Sequence, residues 1–221
     1  PQEPTQPGAL DAPEFPARCP VRQLLEALGG ALSAGIASAT RREVGLARTG
    51  RGVQTYGEFI AGLAEPTACR TLYAASESDA NTPPIPVWLE IALPVAYAMI
   101  DALLGGGEEA HVPDRPLTTL ERRLLRRITR IAADALRECW PTAPGLRFHT
   151  RSRRTPRPPV SKDPLWVLAY QACVSGKSGA LRLGIPASLL PESPGPASRA
   201  TGPLELSVVA DDVGVDREEL A

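Results

Sequence analysis

The sequence has few of the residues from which catalytic and metal sites are built. Its 221 residues include two histidines and four widely separated cysteines: His111, His149, Cys19, Cys69, Cys139 and Cys173. This spacing indicates neither a zinc site nor a disulfide framework, and it supports no Ser–His–Asp or Cys–His set. Each cysteine is predicted to be a small buried hydrophobic side chain in a reducing compartment. We therefore expect no enzymatic activity and no cofactor.

A strong net charge and a long apolar run are also absent. The formal net charge is −1, so the charge of the whole chain gives no case for nucleic acid or a membrane surface as the partner. No stretch approaches the roughly 18 consecutive apolar residues of a transmembrane helix. Because 43% of the residues are hydrophobic, the chain can still bury a sizeable core. We expect a cytoplasmic protein without membrane insertion.

Lysine is nearly absent, since only Lys162 and Lys177 among the 24 basic residues are lysines. Arginine is concentrated in residues 115–157, which contain twelve arginines against three acids. Five arginines share the polar face of one predicted helix: Arg122, Arg123, Arg126, Arg127 and Arg130. Such a face is usually just solvated, but repulsion between like charges one turn apart favours an acidic partner surface. Nucleic acid is disfavoured because no aromatic residues alternate with the arginines.

The first half of the chain contains signals for two helices and three strands. Residues 1–20 are rich in proline and polar residues and are predicted to form a disordered arm. A helix follows from residue 21 to about residue 36, and a short strand covers 44–47 before the turn residues 49–52. Thr55 and Glu58 have the spacing of a capping box at the start of a short helix, 55–63. Strands are predicted at 69–75 and 85–92.

The second half contains the strongest helical signal. A helix that begins at Pro94 has one apolar face, formed by Val95, Met99, Ile100, Leu103 and Leu104. A longer helix, 117–140, opens with a capping box of Thr118 and Glu121. Its apolar stripe comprises Leu117, Leu120, Leu124, Ile128, Ile131, Ala135 and Leu136. A strand at 146–150 and a hairpin of 165–174 with 179–185 complete this half.

Two glycine-containing stretches invite a phosphate-binding interpretation, and neither supports it. The sequence Gly176-Lys177-Ser178 lacks the first glycine of a P-loop and lies between two strand-like runs, which predicts a hairpin turn. Residues 105–107 are three glycines that end a helix, where outward carbonyl oxygens and the next two glutamates would repel an anion. One glycine suffices for a left-handed helix cap. The others fit either a flexible loop or a backbone that a partner approaches closely.

Three stretches in this order resemble the middle domain of the flagellar motor switch family FliM: residues 89–107 (LEIALPVAYAMIDALLGGG), 117–121 (LTTLE) and 135–140 (ALRECW). Residues 56–63 are similar to that family's short Phe-bearing helix, and 163–186 to its closing hairpin. The resemblance covers about residues 21–191. It implies an α/β fold, a three-layer α/β/α CheC-like domain with internal pseudo-two-fold symmetry. Around it lie an arm (1–20), a linker (192–203) and the truncated start of a C-terminal SpoA-like domain (204–221).

The resemblance implies a non-enzymatic part of the motor switch ring, at the cytoplasmic face of the flagellar basal body, that helps to set rotation direction and torque. The family's FliG-binding loop, G-G-x-G, falls on Gly105, Gly106, Gly107 and Glu108, where Glu108 departs from the expected glycine. The implied partners are the FliG middle domain, neighbouring FliM subunits, FliN through the C-terminal domain, and phosphorylated CheY. The arm shows no match to the helix with which FliM captures CheY.

Two alternative functions come from relatives of this family. A CheC/CheX-type response-regulator phosphatase requires the motif E-x-x-N on a helix. The corresponding residues here are Glu121-Arg-Arg-Leu124, and Asn81, the single asparagine of the chain, lies in a predicted loop. A ring component of a type III secretion system is the second alternative, because those components share the C-terminal domain. The middle-domain motifs favour the flagellar assignment.

Overall fold

The computed structural model describes residues 20–76, 82–107, 111–140, 146–150, 155–156 and 159–189. The described helices are α1 (Pro20–Thr40), α2 (Tyr56–Ala61), α3 (Leu93–Leu103) and α4 (Thr119–Cys139). The strands are β1 (Val44–Thr55), β2 (Thr67–Ser76), β3 (Ile85–Ala92), β4 (Leu146–His149), β5 (Pro164–Val174) and β6 (Lys177–Pro186). A short 3₁₀ helix, Ala187–Leu189, follows β6. The predicted linker and C-terminal stretch lie outside the described residues, as does the predicted arm except for Pro20.

The six strands form one antiparallel sheet in the order β1-β5-β6-β3-β2-β4. Exchanging β1 with β4, β2 with β5 and β3 with β6 turns this order into β4-β2-β3-β6-β5-β1, which is the original order read backwards. A two-fold axis between β3 and β6 would produce this arrangement. The mixed helix and sheet architecture predicted from the sequence is confirmed, and the internal pseudo-symmetry stays a prediction that the strand order supports.

One face of the sheet carries the main core beneath α1, α3 and α4. Alternate residues of the central strands point into it, because successive side chains of a strand face opposite sides. The buried members in β3, β5 and β6 include Val87, Leu89, Ile91, Leu168, Tyr170, Ala172, Leu181, Leu183 and Ile185. Helix α1 lies close to its neighbours at two glycines. An added Cβ would be 3.0 Å from the Tyr170 ring at Gly29 and 2.5 Å from Ile131 at Gly35.

The opposite face of the sheet is covered in part by α2 and holds a smaller core: Tyr56, Phe59, Ile60, Trp88, Leu165 and Val167. Beside it, Glu90 of β3 forms an ion pair with Arg182 of β6. The Glu90 carboxylate also accepts hydrogen bonds from the Ala64 amide and the Thr67 hydroxyl, at 3.2 Å each. A buried carboxylate needs such partners to offset its desolvation. This ion pair joins β3 and β6, the two strands at the centre of the sheet.

The structure corrects the predicted extent of β1. The sequence predicts a strand at 44–47 that stops at the turn residues 49–52, whereas β1 continues to Thr55. It pairs with β5 along its whole length and absorbs the glycine-rich part as a register shift between Arg48 and Gly50. Pairing with a neighbour thus overrides the local turn signal, and the shift has the character of a β-bulge.

Three predicted burials are wrong. The apolar spacing predicts that Leu104 and Leu120 lie on buried helix faces, but they are 68% and 67% exposed, because Leu104 caps α3 and Leu120 lies in the first turn of α4. Of the four cysteines predicted to be buried, Cys173 is exposed, Cys69 and Cys139 are partly buried, and Cys19 lies outside the described residues. Burial and the charge of Glu90 raise the pKa of the Cys69 thiol to about 12, which is consistent with an unreactive cysteine at that position.

The other predicted elements are confirmed with small changes at their ends. Thr55 and Thr118 each form the predicted capping box, with Glu58 and Glu121 respectively. The stretch 175–176 is a two-residue hairpin turn in which both residues have positive φ, 47° at Ser175 and 72° at Gly176. Among the described helices, none has the length and apolarity needed to cross a bilayer.

Candidate protein-binding site at the end of helix α3

The three glycines of residues 105–107 lie where α3 ends. The Gly106 amide donates to the Asp101 carbonyl at 2.9 Å, and the Gly105 amide donates to the Ala102 carbonyl at 3.1 Å. With Gly105 in the left-handed region at φ 83°, these are the two hydrogen bonds of a Schellman cap. A helix cap is therefore the structural reason for Gly105. We call residues Leu104 to Gly107 the glycine loop.

Gly106 and Gly107 differ in what surrounds them. A Cβ at Gly106 would overlap the carboxylate of Asp101, so a larger residue would force that side chain to move. A Cβ at Gly107 would meet nothing within 4 Å, and the backbone there has no positive φ. The described contacts give no reason for glycine at residue 107. Gly107 therefore differs from Gly105 and Gly106, where the structure explains why the residue is glycine.

Arg42, from the turn between α1 and β1, holds the glycine loop from the side. Its guanidinium donates to the carbonyl of Gly106 at 2.5 Å and to that of Gly107 at 3.1 Å. Both carbonyls lie beyond the end of α3, so Arg42 ties the backbone of the loop to the turn between α1 and β1. The sequence contains no signal for this contact, since 64 residues separate Arg42 from Gly106.

The other end of the connection between α3 and α4 is fastened by side chains. Arg115 donates two hydrogen bonds of 2.8 Å to the Glu121 carboxylate and one of 3.0 Å to the Tyr97 hydroxyl. The same carboxylate accepts from the Thr118 amide and hydroxyl, at 2.6 and 2.8 Å. The bonds from Arg115, followed by those from Thr118, lower the pKa of Glu121 to about 2. Glu121 is thus an ionised structural residue.

The hydrogen bonds of Glu121 argue against the alternative function of a response-regulator phosphatase. An attacking water would have to be positioned by the Glu121 carboxylate, but both of its oxygens accept hydrogen bonds from Arg115, and one also accepts from Thr118. The position of the required amide is occupied by Leu124, which packs against the main core. The arrangement offers neither a free carboxylate nor an amide, so it disfavours this chemistry.

The structure brings together Gly105, Gly106 and Gly107, three of the four predicted binding residues, on one exposed loop. Glu108, the fourth, lies outside the described residues. Sequence reasoning missed two further members of this surface. Helical periodicity predicts that Leu104 lies on the apolar face of α3, whereas its side chain is exposed. The contact of Arg42 with this loop is visible only in the folded structure.

The flagellar motor switch protein FliM family model matches residues 20–160. A chain of the FliG–FliM complex from H. pylori is similar in structure, with a TM-score of 0.63 and 22% identity over 76% of this chain and 91% of that one. The FliM middle domain from Vibrio alginolyticus has a TM-score of 0.59 and 14% identity, over 76% and 94%. FliY from Thermotoga maritima has a TM-score of 0.53 and 11% identity, over 80% and 93%.

No curated protein sequence matches the chain at a significant level. The structural similarities are all below 25% identity and concern the fold, which is that of the FliM middle domain. The family model covers well over half of the sequence and includes the glycine loop, α4 and its capping box. This chain belongs to the flagellar motor switch protein FliM family.

Proposed function

We propose that this protein is a non-enzymatic component of the flagellar motor switch, at the cytoplasmic face of the basal body, and that it binds FliG through residues 104–108. The observation that carries the proposal concerns Gly107. The described contacts give no reason for glycine at this position, whereas they give one at Gly105 and at Gly106. A missing side chain at an exposed position lets another backbone approach closely. That one similar structure is a FliG–FliM complex supports FliG as the partner.

The proposed contact combines exposed backbone with one apolar side chain. Leu104 is 68% exposed directly before the glycines, and a leucine that becomes buried in an interface contributes through the apolar area removed from water. Arg42 binds the carbonyls of Gly106 and Gly107 and so limits the conformations of the loop before binding. Preorganisation of this kind reduces the entropy lost on association.

Further roles follow from family membership as proposals. Neighbouring copies of the protein would stand beside one another in the switch ring, and the ring would help to set rotation direction and torque. FliN is the proposed partner of the C-terminal stretch, and phosphorylated CheY is a further proposed ligand. Glu108 is included in the FliG contact, where it replaces the glycine of the family pattern by a charged residue. A secretion-system ring is the less favoured setting, since the match is to the flagellar family.

The two exposed leucines on either side of the connection between α3 and α4 provide a matched test. The FliG middle domain of the same organism is titrated into the purified protein by calorimetry, with Leu104→Ser and Leu120→Ser as variants. Because the two leucines are equally exposed, both substitutions should leave the fold intact. We expect Leu104→Ser to weaken binding about tenfold, which corresponds to about 1.4 kcal/mol, and Leu120→Ser to change it less than about twofold.

Two results would contradict the proposal. The first is the absence of measurable binding between the wild-type protein and FliG. The second is an equal loss of affinity in both variants, which would place the contact across α4 or make it nonspecific. Circular dichroism of each variant checks that any loss is not due to unfolding.

A further inference from the structure

A basic cleft lies between α4 and β4, away from the glycine loop. Its volume is about 580 Å³, and it is lined by Arg126, Arg130, Arg137, Phe148, His149 and Thr150, among others. The arginines come from one helix at spacings of four and seven residues, so they share one face of α4. The floor includes Phe148, which is 1% exposed and whose ring centroid lies 5.0 Å from that of Trp140. We call this the arginine cleft.

The charge of the arginine cleft is positive. Its one acidic lining residue, Asp134, is already paired with Arg137 on the same helix. Arg130 is exposed and forms no hydrogen bond or ion pair within the described part of the chain. The pKa of His149 is lowered, first by burial and then by the charges of Arg147 and Arg137. Arg130 is therefore a cation of the cleft that its acidic side chain, Asp134, does not balance.

The structure divides the arginines that the sequence groups on one face. Arg126 and Arg130 line the cleft, and they are joined by Arg137, which the sequence grouping omits. Arg122 instead donates to the Leu117 carbonyl at 2.9 Å, at the start of the helix. Arg127 is exposed and does not line the cleft. Three of the six arginines of α4 thus lie beside β4.

The lining arginines follow the axis of α4, and the cleft lies beside β4. From Arg126 to Arg137 the helix rises by about 16 Å, which an extended chain of about five residues spans. β4 is the terminal strand of the sheet on this side, with β2 as its neighbour within the described residues. An extended segment can therefore lie along β4 with its side chains directed at the arginines.

We propose that the arginine cleft binds an extended acidic segment of a partner protein, with one of its carboxylates on Arg130. Arginine suits this role because its planar guanidinium can bind a carboxylate through two parallel hydrogen bonds. Single-stranded nucleic acid fits less well, because its recognition relies on exposed aromatic faces for stacking, and Phe148, the aromatic residue of the lining, is buried. This proposal does not depend on FliG binding, since the glycine loop lies at the end of α3.

The test uses the full chain and a fluorescein-labelled decapeptide of alternating glutamate and serine, with the corresponding lysine–serine peptide as a charge control. Binding is followed by fluorescence anisotropy at low salt. Arg130→Glu is compared with Arg127→Glu, which makes the same charge change on an exposed arginine outside the cleft. We expect Arg130→Glu to weaken binding of the acidic peptide about fivefold to tenfold, and Arg127→Glu to weaken it less than about twofold. Arg130→Gln should fall between wild type and Arg130→Glu.

A second readout locates the bound peptide. The chain has two histidines, and His149 lines the cleft whereas His111 does not. On addition of the acidic peptide, the imidazole proton signals of His149 should shift and those of His111 should stay in place. Circular dichroism confirms that each variant is folded.

Several outcomes would overturn the proposal. One is no binding of the acidic peptide, and another is equal loss in the two charge-reversal variants, which would indicate attraction to the overall charge only. Tighter binding of oligothymidylate than of the acidic peptide, with the same dependence on Arg130, would assign the cleft to nucleic acid. Binding that leaves the signals of His149 unchanged would place the peptide elsewhere.

Discussion

The two ends of the connection between α3 and α4 are built in opposite ways. At the end of α3, backbone hydrogen bonds and the distant Arg42 hold a loop whose last three residues have no side chains. At the start of α4, Arg115 and Thr118 both donate side-chain hydrogen bonds to the carboxylate of Glu121. The second end uses its polar groups internally, whereas the first leaves backbone and Leu104 exposed. One end is held by side chains, and the other presents the surface that we propose for contact with FliG.

The largest effect on stability is expected at the start of α4. Glu121→Ala removes both the capping box and the partner of Arg115, so it should lower the free energy of unfolding by about 2 kcal/mol. Urea denaturation at neutral pH measures this loss. Glu138→Ala is the control, because Glu138 is an exposed glutamate in the last turn of the same helix, where a negative charge is unfavourable. An equal loss of unfolding free energy in both variants would show that Glu121 has no special role in stabilising the start of α4.

The same carboxylate predicts a dependence on pH. Its folded pKa, about 2, lies below its ordinary value of 4.5, so its contribution to stability is complete above pH 4.5 and is lost as the pH falls towards 2. The difference in unfolding free energy between wild type and Glu121→Gln should therefore shrink over this interval. Urea denaturation at a series of pH values follows it. A difference that is constant across the interval would contradict the assignment of the pKa shift to Glu121.

A smaller effect is expected within the glycine loop, and it should depend on which glycine is changed. Gly105→Ala puts a Cβ on a left-handed residue and should cost about 1 kcal/mol of unfolding free energy. Gly107→Ala meets no neighbour and should cost less than about 0.5 kcal/mol. Thermal denaturation of the two variants measures both values. The same cost at both positions would mean that Gly107 has a structural role after all.

Much of the fold could be predicted from the sequence because the decisive signals are local. The capping boxes at Thr55 and Thr118 formed as expected, since each depends on residues three positions apart. The extent of β1 could not be predicted, because pairing with β5 overrides the turn residues between Arg48 and Gly52. Local patterns predict where an element begins more reliably than they predict what a neighbouring strand will add to it.

The candidate site was predictable only in part. Three glycines after an apolar helix mark an unusual helix end from the sequence alone, but the contact of Arg42 depends on how α1 and β1 lie beside α3. Leu104 continues the apolar spacing of α3, which predicts that it lies on the buried face. Its exposure results from its position as the cap of the helix. Periodicity cannot distinguish the last buried residue of a helix from the first exposed one.

The structure also identifies which glycine tests partner binding most cleanly. Gly106→Asp would place a second carboxylate against Asp101, so a loss of binding could follow from a disturbed loop. Gly107→Asp avoids this conflict. Gly30→Asp is the matched control, because Gly30 is an exposed glycine of α1 that likewise has no neighbour within 4 Å of an added Cβ.

The most direct measurement is the affinity of Gly107→Asp for the FliG middle domain, determined by calorimetry beside Gly30→Asp and wild type. If residue 107 is glycine because a partner approaches its backbone, Gly107→Asp should bind at least about tenfold more weakly, with an unfolding free energy within about 0.5 kcal/mol of wild type. Gly30→Asp should bind as wild type does. Wild-type affinity in a folded Gly107→Asp protein would contradict the account.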